Sequence, residues 1–260
     1  MSRGRAVNRL LLLVSAIAAL AGVRLAAAGE DARTLPAVLT DAIARYATLT
    51  SYADTGTVSE EVAGMIHETK VTTSFRRATR DFYLDYHPLR TRYPKLNGYT
   101  TDSSVHRMVF WMLKGQLQTY SYYFKRHTPA AADQAGTLRS GIPYTAGTSV
   151  LIPSLLYPSA RLPGTPLQFE QASLAGTETL AGHRCHKITG EAAEYYPSGQ
   201  RTNVRRVTLL IDAESQLIRR IVEEKPTGDG TPHRLTVTLD PLANPTLDDA
   251  RFSFAVPPSK

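Results

Sequence analysis

The stretch from Val204 to Glu224 constrains the fold of this 260-residue chain more than any other. It holds two runs in which side chains alternate in character, separated by the polar segment 212–215. A period of two is typical of a β-strand with one packed face. One predicted face carries Val207, Leu209, Ile211, Leu217, Arg219 and Ile221. Two such runs joined by a turn predict a β-hairpin.

The first 28 residues have the organisation of a secretory signal peptide. Three arginines precede an apolar segment at 10–23, and three alanines precede Gly29. The apolar segment is shorter than the roughly 20 residues that a membrane-spanning helix needs. The alternative, an uncleaved membrane anchor, is disfavoured by Arg24 and the alanines. We therefore expect residues 1–28 to be removed and residues 29–260 to form a single periplasmic domain with no stable membrane span.

The charge of the chain depends on this segment. Residues 1–28 contain four arginines and no acidic residue, so their removal lowers the formal charge from +7 to +3. A nucleic-acid-binding protein is expected to keep a strong basic excess. The sequence therefore predicts no nucleic-acid partner. Cys185 is the only cysteine, so an internal disulfide is excluded and the core alone must stabilise the exported protein.

Alternating segments continue through the rest of the chain. Strands are predicted at 52–62, 66–76, 82–86, 105–113, 117–124, 168–180, 183–190 and 235–239. Pro88 is expected to end the third of them, and the segments 89–104 and 128–148 are expected to be irregular. Apolar residues three and four apart predict a helix at 35–49, and 149–156 is a second, short helical segment.

Consecutive strands joined by tight turns favour an antiparallel sheet. A long antiparallel sheet has to curl. We therefore predict the α+β class: a strongly curved antiparallel β-sheet, or half-barrel, with an N-terminal helix and a short second helix covering its concave face.

Four segments resemble a known group of exported proteins. They are the helix end Ala44-Arg45-Tyr46, LAGHRCHKITG at 180–190, VTLLIDAESQLIRRI at 207–221 and DDARFSFAVPP at 248–258. The layout resembles the LolA/LolB-like lipoprotein-carrier superfamily, and within it a branch of uncharacterised periplasmic proteins. The resemblance implies a curved sheet closed by helices around an apolar cavity. It also implies binding of acyl chains or other hydrophobic ligands, or of protein partners as in the sigma-factor regulators of this fold, and no enzyme activity.

An apolar cavity needs apolar side chains beyond those of an ordinary core. The candidate ligand-binding residues are Phe75, Phe82, Met108, Phe110, Met112, Tyr120, Tyr122, Phe124, Leu151, Leu155 and Leu156. Methionine suits an adaptable apolar site. The alternative is that these residues simply pack a core.

His183 and Cys185 lie two residues apart on a predicted strand and hence on one face. A zinc site needs further ligands at suitable spacing, and the sequence offers none, so a structural role is favoured and no metal or cofactor is expected. The histidines leave a Ser-His-Asp arrangement open. The chain nevertheless lacks the Gly-x-Ser-x-Gly, His-Glu-x-x-His and phosphate-binding glycine-loop motifs, and we predict no enzyme.

Basic residues cluster at 125–127, at 205–206 and at 219–220. On the hairpin, Arg206 and Arg220 form one candidate positive surface for anionic head groups or an acidic partner. The alternative is a solvated face that opposes edge-to-edge pairing.

Two functions follow from this sequence. The first is a non-enzymatic periplasmic protein that binds a lipid or a lipoprotein acyl chain in an apolar cavity. The second is a module of the same fold that binds a protein partner in the cell envelope, for example to sense envelope stress.

Overall fold

The computed structural model describes residues 33–113, 115–129, 134–157, 167, 169–195, 201–226 and 230–258. The predicted signal peptide lies outside these residues. The described strands are β1 Ser51–Val62, β2 Met65–Arg76, β3 Asp81–Tyr93, β4 Tyr99–Asp102, β5 Met108–Leu113, β6 Gln116–Ser121, β7 Arg126–Thr128, β8 Gln171–Leu180, β9 His183–Tyr195, β10 Arg201–Asp212, β11 Ile218–Pro226 and β12 Pro232–Ala243. The described helices are α1 Leu35–Thr48, α2 Gln134–Ser140 and α3 Thr148–Leu156, with 3-10 turns at Pro94–Leu96, Ser104–His106, Ile142–Tyr144 and Asp249–Phe252.

All described strands belong to one antiparallel sheet. Its order is β7-β6-β5-β3-β2-β1-β12-β11-β10-β9-β8, and β4 pairs with β3. The first and last strands pair along their length, from Tyr52 opposite Ala243 to Val62 opposite His233. The edge strands β7 and β8 do not pair with each other, so the sheet stays open. The predicted α+β half-barrel with an N-terminal helix is confirmed.

The predicted hairpin is formed by β10 and β11, but one face assignment was wrong. A β-bulge places Ile211 opposite Ile218, while Leu210 lies opposite Arg220. Arg219 is therefore the extra residue of the bulge. Its guanidinium group leaves the core face and binds Asp212, with 2.7 Å between Nε and Oδ2.

Pro88 does not end β3, contrary to the sequence prediction. On one side of β3, β5 pairs as far as Tyr86 and β4 pairs from Arg90 onward. Pro88 lies between these two partners, where the missing N–H of proline interrupts no pairing on that side. The segment 89–104 thus contains the rest of β3 and all of β4 rather than irregular chain. In the same way, the segment predicted as a loop at 128–148 contains α2.

The inner face of the sheet carries the main core, which α1 and α3 cover. Val38, Ala42 and Tyr46, four residues apart, form the buried stripe of α1. All nine residues of α3 are buried, and the hydroxyl groups of its three polar residues, Thr148, Ser149 and Ser154, donate hydrogen bonds to backbone carbonyls. None of the described helices combines the length and the apolar character needed to cross a bilayer.

Arg77, in the turn between β2 and β3, holds both helices. Its guanidinium group donates hydrogen bonds to the carbonyl oxygens of Tyr46 at 2.8 Å, Leu49 at 2.6 Å and Leu156 at 3.4 Å. These carbonyls lie at the C-terminal ends of α1 and α3, where backbone oxygens lack helical partners and a cation is favoured. One side chain therefore fixes two helix ends on the sheet.

A second cluster covers the outer face of β5 and β6. Val109, Trp111 and Tyr120 are buried there. The C-terminal segment covers them, with the ring of Phe254 centred 5.0 Å from that of Trp111. Phe110 and Met112 face the main core, so β5 is covered on both of its faces.

A buried carboxyl group lies under α1. Asp54 is 3% exposed, and neither of its oxygens has a hydrogen bond of normal geometry; the same holds for the hydroxyl groups of Tyr52 and Thr73. Burial raises the pKa of Asp54 to about 7, although the nearby Tyr52 and Thr73 partly oppose the rise. The Tyr46 hydroxyl accepts a hydrogen bond from the Ile218 N–H at 3.2 Å.

We expect Asp54→Asn to stabilise the protein above neutral pH. An acid whose pKa rises on folding destabilises the folded state as the pH rises from its unfolded to its folded pKa. For Asp54 this window runs from 3.8 to about 7, and the full effect is roughly 4 kcal/mol. Urea unfolding monitored by Trp111 fluorescence should show the variant more stable at pH 8, with the difference shrinking towards pH 4.

Glu61→Gln is the matched control, because Glu61 is exposed on the same strand. Glu61→Gln should leave the pH dependence of the free energy of unfolding the same as in the parent protein. If the free energy of unfolding of Asp54→Asn falls with rising pH as steeply as that of the parent, the raised pKa of Asp54 is contradicted.

Candidate functional site

The inner face of the sheet changes from apolar to charged along several neighbouring strands. On β10, Leu209 and Val207 are buried and apolar, and Arg205 follows at the next inward position. On β12, Val237 and Leu235 are followed by His233 in the same way. The residues that begin the charged zone are Glu60, Arg205, Glu223, Lys225 and His233. The paired registers bring all five to one end of the sheet.

Helix length explains why this end is open. The 12 residues of β1 span about 40 Å at strand rise. The nine residues of α3 span only about 14 Å. Because Arg77 holds the C-terminal ends of α1 and α3 near the start of β1, no helix of the described residues covers the far end of the inner face.

Two adjoining pockets occupy this end. The outer pocket has a volume of about 1080 Å³ and lies among the β1–β2 turn, Lys95, β10, β11 and β12. The inner pocket has a volume of about 360 Å³ and reaches the first turn of α3. Arg205, Lys225 and His233 line both pockets. Known small-molecule sites range over roughly 300–1,000 Å³, so the pair is large enough for a ligand.

The inner pocket is apolar on its helix side and charged on its sheet side. Val150 and Leu151 of α3 and Ile142 provide the apolar surface on the helix side. Opposite them, Arg205 Nε lies 3.2 Å from Glu223 Oε2 and His233 Nε2 lies 2.9 Å from Glu60 Oε1. A site with one apolar and one charged wall suits an amphiphile better than a purely apolar ligand.

The outer pocket carries an excess of cationic groups. Its lining charges are Lys95, Arg205, Arg206, Lys225 and Arg234 against Glu61, Glu191 and Glu224. Such an excess raises the local concentration of anions. The mouth is therefore suited to an anionic group rather than to a neutral one.

The predicted ligand-binding residues divide into two sets. The set within or against the main core is Phe75, Phe82, Met108, Phe110, Met112, Leu151, Leu155 and Leu156. Met108 is only partly buried, whereas the other seven are buried. Leu151 also lines the inner pocket. Contact of these residues with a ligand stays a prediction.

The remaining three lie elsewhere. Tyr120 and Tyr122 belong to the second cluster, on the outer face. Phe124 is 55% exposed. The strand predicted at 117–124 ends at Ser121, and residues 122–125 form a turn, so alternation no longer places these three rings on one face.

Sequence reasoning missed the charged wall. The sequence predicts no ligand site at Glu60, Glu223 or His233, because these residues lie at strand ends with the composition of ordinary polar boundaries. The available signal was inward alternation that continues past the last apolar residue, as from Val207 to Arg205. On sequence alone, Arg205 belongs only to a basic pair with Arg206.

The side chains of His183 and Cys185, considered above as possible metal ligands, lie among structural contacts. His183 Nδ1 lies 3.1 Å from Asp212 Oδ2, and Cys185 is buried. Asp212 also binds Arg219 and accepts the N–H groups of Glu214 and Ser215. Within the described residues no three His, Cys, Asp or Glu side chains are placed to hold a metal ion.

No protein-family model and no curated protein matches the chain. Several solved structures do. LprF from Mycobacterium bovis is 14% identical, with 78% of this chain and 90% of that chain covered and a TM-score of 0.43. The MucA/MucB complex of Pseudomonas aeruginosa is 13% identical, with 84% and 60% covered and a TM-score of 0.41. A putative outer membrane lipoprotein-sorting protein domain from Vibrio parahaemolyticus is 7% identical, with 83% and 94% covered and a TM-score of 0.35.

At these identities and TM-scores, the similarity carries no inference about ligands or partners.

We expect Asp212→Ala to destabilise the protein by about 3 kcal/mol, since it leaves the buried Arg219 without its main partner. Burial opposes ionisation of Asp212, but the N–H groups of Ser215 and Glu214 and the Arg219 guanidinium group hold its pKa below the usual range. A lowered pKa stabilises the folded state at neutral pH, and this contribution is lost as the pH falls through the folded pKa. Urea unfolding at pH 7 and at acid pH measures both effects.

Asp240→Ala is the control, because Asp240 binds the same guanidinium group at 3.3 Å but is 75% exposed. It should cost less than about 1 kcal/mol. Equal losses in the two variants would contradict a central role for Asp212.

Proposed function

We propose that the protein binds an amphiphile in the cell envelope, a lipid or the acyl chain of a lipoprotein, without chemical turnover. The acyl chain enters the inner pocket beside α3, and the anionic head group lies at the cationic mouth of the outer pocket. Export by a signal peptide at residues 1–28 is part of the proposal.

One observation carries this proposal: the two adjoining pockets are apolar at α3 and cationic at the mouth. Val150, Leu151 and Leu235 offer apolar contacts in the inner pocket. Arg206 and Arg234, both exposed, line the outer pocket. An amphiphile has this polarity, with an apolar end and a polar end.

The charged wall limits how such a ligand fits. Arg205 is 6% exposed by side chain and already bound to Glu223. Breaking a buried ion pair is costly, so the pair stays intact in the bound state. The head group therefore meets the exposed cations of the outer pocket, and the acyl chain passes along the apolar helix side.

We expect Val62→Trp to weaken ligand binding. Val62 lines the outer pocket at the end of β1, and an indole ring there occupies the space that a ligand needs. With lysophosphatidylglycerol as the probe, affinity should fall about tenfold, which corresponds to about 1.4 kcal/mol. Native mass spectrometry and lipid-dependent thermal stabilisation measure the effect.

Thr57→Trp is the matched control on the outer side of the same strand, where Thr57 is exposed. It should bind the probe like the parent protein. Absence of probe binding by the parent, together with no lipid in extracts of protein purified from an envelope fraction, would refute the proposal. Capture of one specific envelope protein by that lipid-free protein would favour the protein-interaction module instead.

A further inference from the structure

Four rings form a continuous surface around the turn between β6 and β7. The ring of His106 stacks on that of Tyr123, with centroids 4.9 Å apart. Tyr123 contacts Phe124 at 5.0 Å, and Phe124 contacts Tyr144 at 5.7 Å. We call His106, Tyr123, Phe124 and Tyr144 the aromatic patch.

The aromatic patch is unusually exposed for its composition. The exposed fractions are 56% for Tyr123, 55% for Phe124 and 50% for Tyr144, and Val105 beside His106 is 49% exposed. Single exposed apolar residues are common on soluble proteins, whereas a contiguous apolar surface marks an interaction site.

The patch stands on a fixed support. The Tyr122 N–H donates to the Arg107 carbonyl at 3.0 Å. The Arg107 guanidinium group donates to both oxygens of Asp85, at 2.9 and 2.7 Å, and lies 5.1 Å from the centre of the Tyr122 ring. A bidentate pair of this kind restricts the geometry, so the turn presents its rings in one arrangement.

The β6–β7 side of the patch is cationic, whereas the Asp102 carboxylate lies on its His106 side. Lys125 and Arg126 follow Phe124 directly and are exposed, and neither has a carboxylate partner among the side chains that the structure describes. Over residues 103–169 the sequence has six Lys or Arg residues and a single acidic residue, Asp133. This third of the mature chain therefore carries more positive charge than the formal +3 of the whole.

We infer that the aromatic patch, with Lys125 and Arg126, docks the protein on the surface of an anionic lipid membrane. Tyrosine rings favour the level of lipid head groups, because they are apolar with one polar end. Neighbouring cations are attracted to anionic head groups. The head-group level of an anionic membrane accommodates both features of this surface, the exposed rings and the neighbouring cations.

The aromatic patch lies next to the inner pocket in the structure. Tyr144 ends the 3-10 turn that contains Ile142 and Pro143, two residues that line the inner pocket. A membrane at the patch would lie beside the helix side of the pocket rather than at the far edge strand β8. The inference does not depend on the proposed ligand, since docking and pocket binding use different residues.

The test is sedimentation of the full mature chain with phosphatidylcholine vesicles that contain or lack phosphatidylglycerol. The parent protein should bind the anionic vesicles, and added salt should weaken this binding. Tyr123→Ser with Phe124→Ser, and separately Lys125→Glu with Arg126→Glu, should each reduce the partition coefficient by roughly tenfold. Matched controls are Leu242→Ser, with 55% exposure at Leu242, and Lys70→Glu on the exposed face of β2.

Binding that is equal on both vesicle types, or that survives both patch variants, would overturn the inference. An absence of vesicle binding would also overturn it. The same holds if the parent protein is a dimer in sedimentation velocity and Phe124→Ser converts it to a monomer, because the patch would then be a contact between two copies. Circular dichroism confirms folding of each variant. Unchanged lysophosphatidylglycerol binding by the patch variants separates failure of docking from failure of the pocket.

Discussion

The need to cover the inner face of an open sheet governs this structure. The face carries apolar side chains from strands on both sides of the β1–β12 pair, and burying them supplies the main drive for folding. α1 and the wholly buried α3 cover one end, and Arg77 holds their C-terminal carbonyls there. Since helix rise is less than half of strand rise, the other end stays open, and the inner and outer pockets occupy it.

The covering of the inner face also determines the surroundings of the carboxyl groups that lie on or near it. Where the helices cover the sheet, Asp54 has no ionic partner close enough to offset its desolvation, so burial raises its pKa to about 7. Asp212, at the β10–β11 turn, has Arg219 and two backbone N–H groups, and its pKa is lowered. At the open end, Glu60 and Glu223 are paired with His233 and Arg205. Partners rather than burial alone thus separate Asp212, whose pKa is lowered, from Asp54, whose pKa is raised.

Local sequence patterns identified most of the elements but not α2, β4 or the alignment between strands. Alternation identified β10 and β11, and three- and four-residue spacing identified α1, because these patterns are local. The bulge at Arg219 and the continuation of β3 beyond Pro88 both depend on which strands pair with them. A local sequence pattern contains no information about those partners. The pocket is harder still: Glu60 and His233 meet only because β1 pairs with β12, 173 residues away along the chain. Their face was predictable, but their common level in the sheet was not.

The segment at 141–147 connects the two surfaces that carry the proposals. Gly141 approaches the core so closely that a Cβ atom there would lie 2.4 Å from Cζ of Phe110. Gly147 has a φ of 80°, which glycine adopts without the strain of a side chain. Between them, Ile142 lines the inner pocket and Tyr144 belongs to the aromatic patch. Because both glycines fix the path of this short segment, Tyr144 and the wall of the inner pocket are held at a short and defined separation along the backbone.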